Sequence, residues 1–212
     1  MVPRRALRRL SVGPHIVVAV TPRILRGRRA ADPQASLDAL RGAPPRAGVL
    51  TEEVPSPSRL APTSVAFTAE VLDPEGSDEP LATGRLVVLH DPSEPEEWGG
   101  PWRVVTFVST PLEPELAHDP LFGDVGRQWV SESLAQQNCT VGELSGTSTR
   151  VTSESFGGRE HHGVEVALEI RASWTPLDHD LLRHLEAWRD LLTTVAGVPT
   201  LPQGVVALHG VV

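Results

Sequence analysis

The chain has 212 residues, of which 40% are hydrophobic and 22% are charged, proportions that suit a packed domain and argue against a wholly disordered chain. It contains no lysine and no tyrosine, which excludes a P-loop lysine, a Schiff-base lysine and a phenolic acid or nucleophile. Cys139 is the only cysteine, which excludes an internal disulfide and a multi-cysteine metal cage.

The net charge of −8 is divided unevenly along the chain. Residues 1–31 contain eight arginines and no acidic residue, whereas residues 32–212 contain 11 arginines and 27 acidic residues, a net charge of −16. The apolar run at 15–20 is shorter than the roughly 7–15 residues of a signal-peptide core. We expect residues 1–31 to be a disordered basic extension, with a nucleic-acid-binding arm as the alternative. No segment is apolar enough to predict a membrane helix.

The first predicted elements are a short helix and two strands. Asp32 and Pro33 are typical of a helix N-cap and first position, and Gly42 is expected to end this helix. Residues 47–54 and 63–72 have the pattern of strands, since apolar residues alternate with more polar ones in the second segment.

The middle of the chain predicts two central strands and a helix. Residues 86–89 are apolar on both faces and residues 102–108 follow after an acidic loop, so both segments are expected in the middle of the sheet. A helix is predicted from about residue 124 to 137, because its apolar residues fall on one side of a helical wheel.

The last third predicts a hairpin and a long helix. We expect a short strand at 139–144, a turn at Ser145-Gly146, a polar strand at 147–156 and a strictly alternating strand at 164–174. The final helix is expected to begin with Thr175 as its cap and Pro176 at its first position, and to end at Gly197.

These elements predict an α+β fold. We expect a single domain over residues 32–205, with a largely antiparallel sheet of about six or seven strands and helices packed on one face. Residues 206–212 are expected to be a C-terminal tail.

Four segments carry a family resemblance, and they lie at 59–62 (RLAP), 81–92 (LATGRLVVLHDP), 112–115 (LEPE) and 171–178 (RASWTPLD). Over about residues 34–205 the chain resembles an actinobacterial family of uncharacterised proteins, domain of unknown function 3000. The resemblance implies a bacterial cytoplasmic protein. It also implies a link to RNA metabolism, because genes of the family lie near that of a ribonuclease D-like exonuclease. It implies no activity, ligand or catalytic residue.

Five residues are candidates for a binding site. His90 and Asp91 end a buried strand, Trp98 and Trp102 flank a glycine-containing loop, and His118 lies before the middle helix. Sites favour loops at strand ends on a rigid scaffold. The alternative for His90-Asp91-Pro92 is an ordinary turn, in which Asp91 bonds to its own backbone.

Two other groups have simpler structural interpretations. Asp180 and His184 are spaced for contact on one helix, either as an acid/base pair or, as we favour, as a buried histidine satisfied by an acid. His161 and His162 lack a third spaced ligand, so we predict no metal and no cofactor. Cys139 has no histidine nearby in the sequence and is expected to be a small buried residue.

The scarcity of convergent acids, bases and nucleophiles favours a non-enzymatic binding or adaptor protein that acts in the cytoplasm through contacts with a protein partner. A small enzyme using histidine and aspartate on sheet-end loops is the alternative. An accessory role in RNA metabolism is a further alternative, although a charge of −16 over residues 32–212 repels phosphate.

Overall fold

The computed structural model describes residues 32–57, 59–113, 122–157, 164–178 and 180–198. The expected disorder of residues 1–31, the tail at 206–212 and the hairpin-loop residues 158–163 all lie outside this part of the chain. None of the helices in the described ranges has the length and apolarity needed to cross a bilayer.

Three helices and six strands make up the described residues. In chain order they are α1 (Pro33–Arg41), β1 (Val49–Val54), β2 (Thr63–Val71), β3 (Ala82–His90), β4 (Trp102–Leu112), α2 (Phe122–Gln136), β5 (Val141–Glu154), β6 (Val164–Pro176) and α3 (Leu181–Val195). The strands form one sheet in the order β1-β2-β3-β4-β6-β5, and every neighbouring pair is antiparallel. The predicted α+β fold with an antiparallel sheet is confirmed.

The helices pack on one face of the sheet, where they form the main core. Helix α3 contacts β2, β3 and β4, while α2 packs on β5 and α1 packs on α3. This core contains Leu86, Val88, Val104, Val108, Leu168, Ile170 and Trp174 from the sheet and Leu185, Trp188 and Leu192 from α3. These residues are the alternate positions of their strands, as expected for a sheet with one face covered.

Two polar side chains fix the position of α3 from its flanks. The buried carboxylate of Asp190 accepts a hydrogen bond of 2.6 Å from Gln137, just after α2, and forms an ion pair of 2.6 Å with Arg46, just before β1. Because both partners reach the same carboxylate, α3 is tied to the chain on either side of it.

The predicted turn at Ser145-Gly146 is wrong. Strand β5 continues through these residues, and its pairing with β6 shifts register between Gly142 and Ser145. A Cβ atom on Gly146 would lie 2.5 Å from the carbonyl oxygen of Arg171, so this glycine permits a close approach of two strands rather than a turn.

The predicted start of the last helix is also wrong. Thr175 and Pro176 belong to β6, and α3 begins at Leu181 with Asp180 at the N-cap position. The Thr175 hydroxyl is occupied by tertiary hydrogen bonds: it donates to the carbonyl oxygen of Trp98 and accepts from Arg103. The predicted end is confirmed, since Gly197 follows the helix with φ of +68°.

Helix α3 lies closest to the sheet at Gly84 of β3. We expect Gly84→Ala to lower the free energy of unfolding by about 1–3 kcal/mol, because overpacking a well-packed core is destabilising. The added methyl group would lie 2.8 Å from Cδ2 of Leu192 and 3.2 Å from the carbonyl oxygen of Phe107. Urea denaturation measures the change.

Gly42→Ala is the matched control. Gly42 has φ of −83°, and an added Cβ would have its nearest neighbour, the Asp38 carbonyl oxygen, at 3.5 Å. Its unfolding free energy should change by no more than about 0.5 kcal/mol. Equal effects of the two substitutions would contradict the close packing of α3 on β3.

Candidate functional site

His90 and Trp102 lie side by side at the end of the helix-covered face. They are cross-strand neighbours on β3 and β4, and their ring centroids are 4.4 Å apart. Both are buried, and burial lowers the pKa of His90 below its usual value despite the charge of Asp91. His90 is therefore a neutral packing residue at pH 7.

Asp91 turns the chain after β3. Its Oδ1 atom accepts hydrogen bonds from the Ser93 hydroxyl at 2.7 Å and the Ser93 amide at 2.9 Å, and these bonds hold the pKa of Asp91 below its usual value. This is the local bonding expected of an aspartate in a turn.

Trp98 lies on the opposite face of the sheet from Trp102. It packs beside a small buried cluster formed by Ala66, Val87 and Leu89. The structure therefore does not bring Trp98 and Trp102 together at one rim. His118, the fifth sequence candidate, lies outside the described residues, as do His161 and His162.

His184 is buried in α3 and has partners on both ring nitrogens. The indole N–H of Trp174 donates to Nδ1 at 3.0 Å, and Nε2 lies 3.1 Å from Oδ1 of Asp178. Since an indole can only donate, Nδ1 is the acceptor and the proton of neutral His184 is on Nε2. The favoured interpretation of His184 is supported, but its acid is Asp178 rather than Asp180, which pairs with Arg183 at 3.0 Å.

The Asp178 carboxylate accepts hydrogen bonds from three N–H groups. Besides His184, it accepts from the backbone amides of Thr140 at 2.6 Å and Asp180 at 3.0 Å. Burial raises the pKa of Asp178, but these hydrogen bonds and the His184 ring outweigh burial, so the pKa lies below its usual value. The carboxylate thus joins the start of β5 to the first turn of α3.

Cys139 lies beside this pair, a proximity that the sequence did not indicate. Its Sγ atom, a carboxylate oxygen of Asp178 and a ring nitrogen of His184 all lie within 4.8 Å of one another. Burial, with a smaller contribution from Asp178, raises the pKa of the Cys139 thiol to about 12. The thiol is therefore protonated at neutral pH and is not an activated nucleophile.

The three donor groups also do not fit a metal ion. A histidine ligand normally donates its second ring N–H to an acceptor, whereas His184 accepts the Trp174 proton at Nδ1 and carries its own proton on Nε2. The lone pair that would bind a metal is therefore absent from the nitrogen that faces Cys139 and Asp178. The cluster holds the fold together.

The face of the sheet opposite the helices, here called the outer face, carries a row of three exposed polar side chains and one half-buried aromatic ring. Arg85, Phe107, Arg171 and Thr147 are successive cross-strand neighbours on β3, β4, β6 and β5. The guanidinium of Arg171 lies over the Phe107 ring, 4.9 Å from its centroid. Two arginines thus flank one aromatic ring.

An open hollow of about 560 Å³ surrounds this row. Val87 and Val105 contribute apolar surface to it, and Ser145, Thr147 and Ser173 contribute hydroxyl groups. Arg171 forms an ion pair of 2.8 Å with Glu169, while Arg85 donates to the carbonyl oxygen of Pro55 at 3.1 Å. Within the described ranges no acidic side chain pairs with Arg85.

Arg103 joins the strands at one end of the hollow. Its guanidinium donates to the Glu143 carbonyl oxygen, to the hydroxyl of Ser173 at 2.6 Å and to the hydroxyl of Thr175 at 3.1 Å. Burial lowers the pKa of Arg103 relative to its usual value, partly offset by Glu143. Arg103 ties β4 to β6 and to the irregular start of β5, so its role is to position these strands.

A family model described as a protein of unknown function, DUF3000, matches residues 30–206. No curated protein and no solved structure matches the chain. The match covers every described helix and strand, including the strands that form the hollow.

The state of His184 predicts how stability depends on pH. Burial keeps the pKa of folded His184 below its usual value of 6.5, so the unfolded chain binds the proton more readily. The stability that neutral His184 contributes is present above about pH 6.5 and is lost as the pH falls below it. We expect His184→Gln to unfold more easily at pH 7.5 by about 1–3 kcal/mol.

The variant should also lose less stability than the parent between pH 7.5 and 5.5, because glutamine does not titrate. Urea denaturation at a series of pH values measures both effects. The buried His90 contributes in the same direction, so His90→Gln serves as the comparison. Identical pH profiles for the parent and His184→Gln would show that His184 is not held neutral by the fold.

Proposed function

Because the chain belongs to the DUF3000 family, whose description assigns no function, we propose a function from its own geometry: it is a non-enzymatic binding protein that takes up a protein partner on its outer face. The proposed location is the cytoplasm, as the family resemblance implies. The row of Arg85, Phe107 and Arg171 carries this proposal.

The chemistry of this row supports a protein partner. Arginine and aromatic side chains are enriched at protein interfaces and at the residues that contribute most to binding. Here they stand beside apolar surface, since Val105 on the outer face is 37% exposed. The positive charges of Arg85 and Arg171 also favour a partner that presents carboxylates at this surface.

The alternative of a small enzyme on the sheet-end loops has less support. Among the described candidates, His90 packs against Trp102 with its ring tilted, and Asp91 bonds to Ser93. His184 has both ring nitrogens occupied. No histidine in the described ranges is thus positioned with a free nitrogen beside an activated nucleophile, which general-base catalysis requires.

Single-stranded RNA is the second candidate ligand. An aromatic ring with one guanidinium over it and a second arginine as its cross-strand neighbour, on an open antiparallel sheet, offers the stacking and charge that such RNA uses. The net charge of −16 over residues 32–212 opposes this ligand, because binding RNA requires neutralising phosphates. A protein partner is therefore favoured.

The proposal predicts that neutralising the two arginines abolishes partner binding. We expect Arg85→Gln/Arg171→Gln to lose at least about tenfold in affinity for a protein purified on the parent chain, measured by calorimetry with both proteins pure. Thermal unfolding checks that the variant is folded.

Arg59→Gln/Arg127→Gln is the control, because both arginines are exposed and the net charge changes equally. This control should bind the partner as the parent does. Equal binding by all three chains would refute the outer face as the binding surface. Binding of a short single-stranded RNA that weakens steeply with salt and depends on Arg85 and Arg171 would favour RNA instead.

A further inference from the structure

A loop of residues 91–101, here called the acidic loop, covers one end of the outer face. It joins β3 to β4, and its exposed glutamates are Glu94, Glu96 and Glu97. Its Trp98 side chain packs beside the buried outer-face cluster that contains Val87, and Val87 also lines the hollow. The acidic loop therefore stands above the sheet directly beside the hollow.

Unpaired charges of both signs lie on this face. Within the described ranges none of the three exposed glutamates of the acidic loop forms an ion pair, and Arg85 pairs with no acid. Arg85 donates to the carbonyl oxygen of Pro55, a bond that leaves its charge uncompensated. Arg171 differs, because Glu169 already pairs with it at 2.8 Å. Arg85 is therefore the cation of the hollow that is left for an acid from another molecule.

Val105 lies between Arg85 and the acidic loop. It is 37% exposed, and its cross-strand neighbours on the same face are Val87 and Ser173. Arg85 lies two residues before Val87, or about 7 Å along β3, and the acidic loop begins four residues after Val87, at about 13 Å. Trp98 reaches back from the loop to Val87. The cation and the acids therefore lie on opposite sides of Val105 at comparable distances.

This arrangement is complementary to itself. In a two-fold dimer both copies use the same surface, so a residue on the axis meets its own counterpart and the residues on either side of it exchange places. An axis that crosses the strands at Val105, with the two outer faces opposed, brings the acidic loop of each copy over Arg85 of the other. The raised loop of one copy then fills the hollow of the other.

We propose that the partner on the outer face is a second copy of this chain, bound about a two-fold axis at Val105, with the acidic loop of each copy seated in the hollow of the other against Arg85. This inference rests on the proposed function and names the partner. Val105 of one copy packs on Val105 of the other, and the opposite charges on either side fix the orientation of the two sheets.

The size of the available surface sets the expected strength of the dimer. The hollow is lined by four strands, β3, β4, β6 and β5. Four strands about 4.8 Å apart and about eight residues long present roughly 500 Å² per copy. Two copies then bury roughly 1,000 Å², the lower end of the range for specific interfaces. We therefore expect a reversible dimer with a dissociation constant of about 1–100 μM.

Charge reversal tests the contact between the acidic loop and Arg85. Because a two-fold dimer contains this contact twice, each substitution removes two attractions. We expect Arg85→Glu, and separately Glu96→Arg/Glu97→Arg, to raise the dimer dissociation constant at least about tenfold, measured by sedimentation from about 5 to 300 μM. An equal mixture of the two variants, one of them fluorescently labelled, should associate about as strongly as the parent, because each contact then joins opposite charges again.

The controls carry the same changes of charge on the helix-covered side. Arg127, Asp124 and Glu132 are exposed residues of α2, which packs on the other face of the sheet. Arg127→Glu matches Arg85→Glu, and Asp124→Arg/Glu132→Arg matches the reversal of the acidic loop. Both controls should dimerise as the parent does, and thermal unfolding checks that every variant is folded.

Cross-linking tests the position of the axis. Cys139 is the only cysteine of the chain, so Cys139→Ala leaves a background into which one cysteine can be introduced. Facing sheets pack about 10 Å apart, a distance that a short bismaleimide spans. Val105→Cys in this background should give a covalent dimer, whereas Glu132→Cys on α2 should not.

Three results overturn the inference. They are a parent chain that stays monomeric up to about 300 μM, a dimer that both charge reversals leave intact, and a mixture of the reversed variants that does not associate. In each case the proposed function stands if a different protein still requires Arg85 and Arg171 for binding. If neither this chain nor any other protein depends on these two arginines, the proposed function itself fails.

Discussion

The relay of hydrogen bonds from Trp174 through His184 to Asp178 is the constraint on which the helix-covered side depends. It begins on the central part of the sheet at β6, passes through the first turn of α3 and ends at the Thr140 amide that precedes β5. Trp174 and His184 are buried and Asp178 is partly buried, and leaving one of these three side chains unpaired costs about 1–3 kcal/mol. The relay therefore sets where α3 crosses the sheet and where β5 starts.

The position of α3 also determines which face of the sheet is left uncovered by the described helices. All three described helices pack on one face, and α3 approaches that face so closely that Gly84 has no room for a side chain. The apolar side chains on the helix-covered face are buried in the main core. Among the described residues, the outer face carries exposed arginines, a half-buried aromatic ring and apolar groups together, in the row around Phe107. The proposed binding surface is thus a consequence of the packing of all described helices on the other face.

The sequence predicts the elements whose signals are local. The Asp32 cap of α1 and the alternation along β6 led to correct assignments, because the same residues form the cap and the buried face. Two residue pairs led to wrong predictions, Thr175-Pro176 and Ser145-Gly146. The Thr175 hydroxyl bonds to the Trp98 carbonyl oxygen instead of capping a helix, and Gly146 allows β6 to come close instead of forming a turn. Local signals are overridden where a distant strand or loop supplies the partner.

Two groups of residues could not be predicted from the sequence, because each depends on strand register: the cluster of Cys139, Asp178 and His184, and the row around Phe107. Cys139 and His184 are distant in sequence and meet only when β5, β6 and α3 are in place. Likewise, the row around Phe107 requires the pairing of β3, β4 and β6 to be known residue by residue. The composition indicates only that arginine is the one residue type that carries a permanent positive charge, because the chain contains no lysine.

Trp98 connects the outer face of the sheet to the strand that carries Trp174. Its side chain packs with the outer-face cluster of Ala66, Val87 and Leu89, beside β2 and β3. Its carbonyl oxygen accepts the hydroxyl proton of Thr175, which lies next to Trp174 of the relay. The residues lining the hollow accordingly come from β3, β4, β6 and β5 and none from β1 or β2.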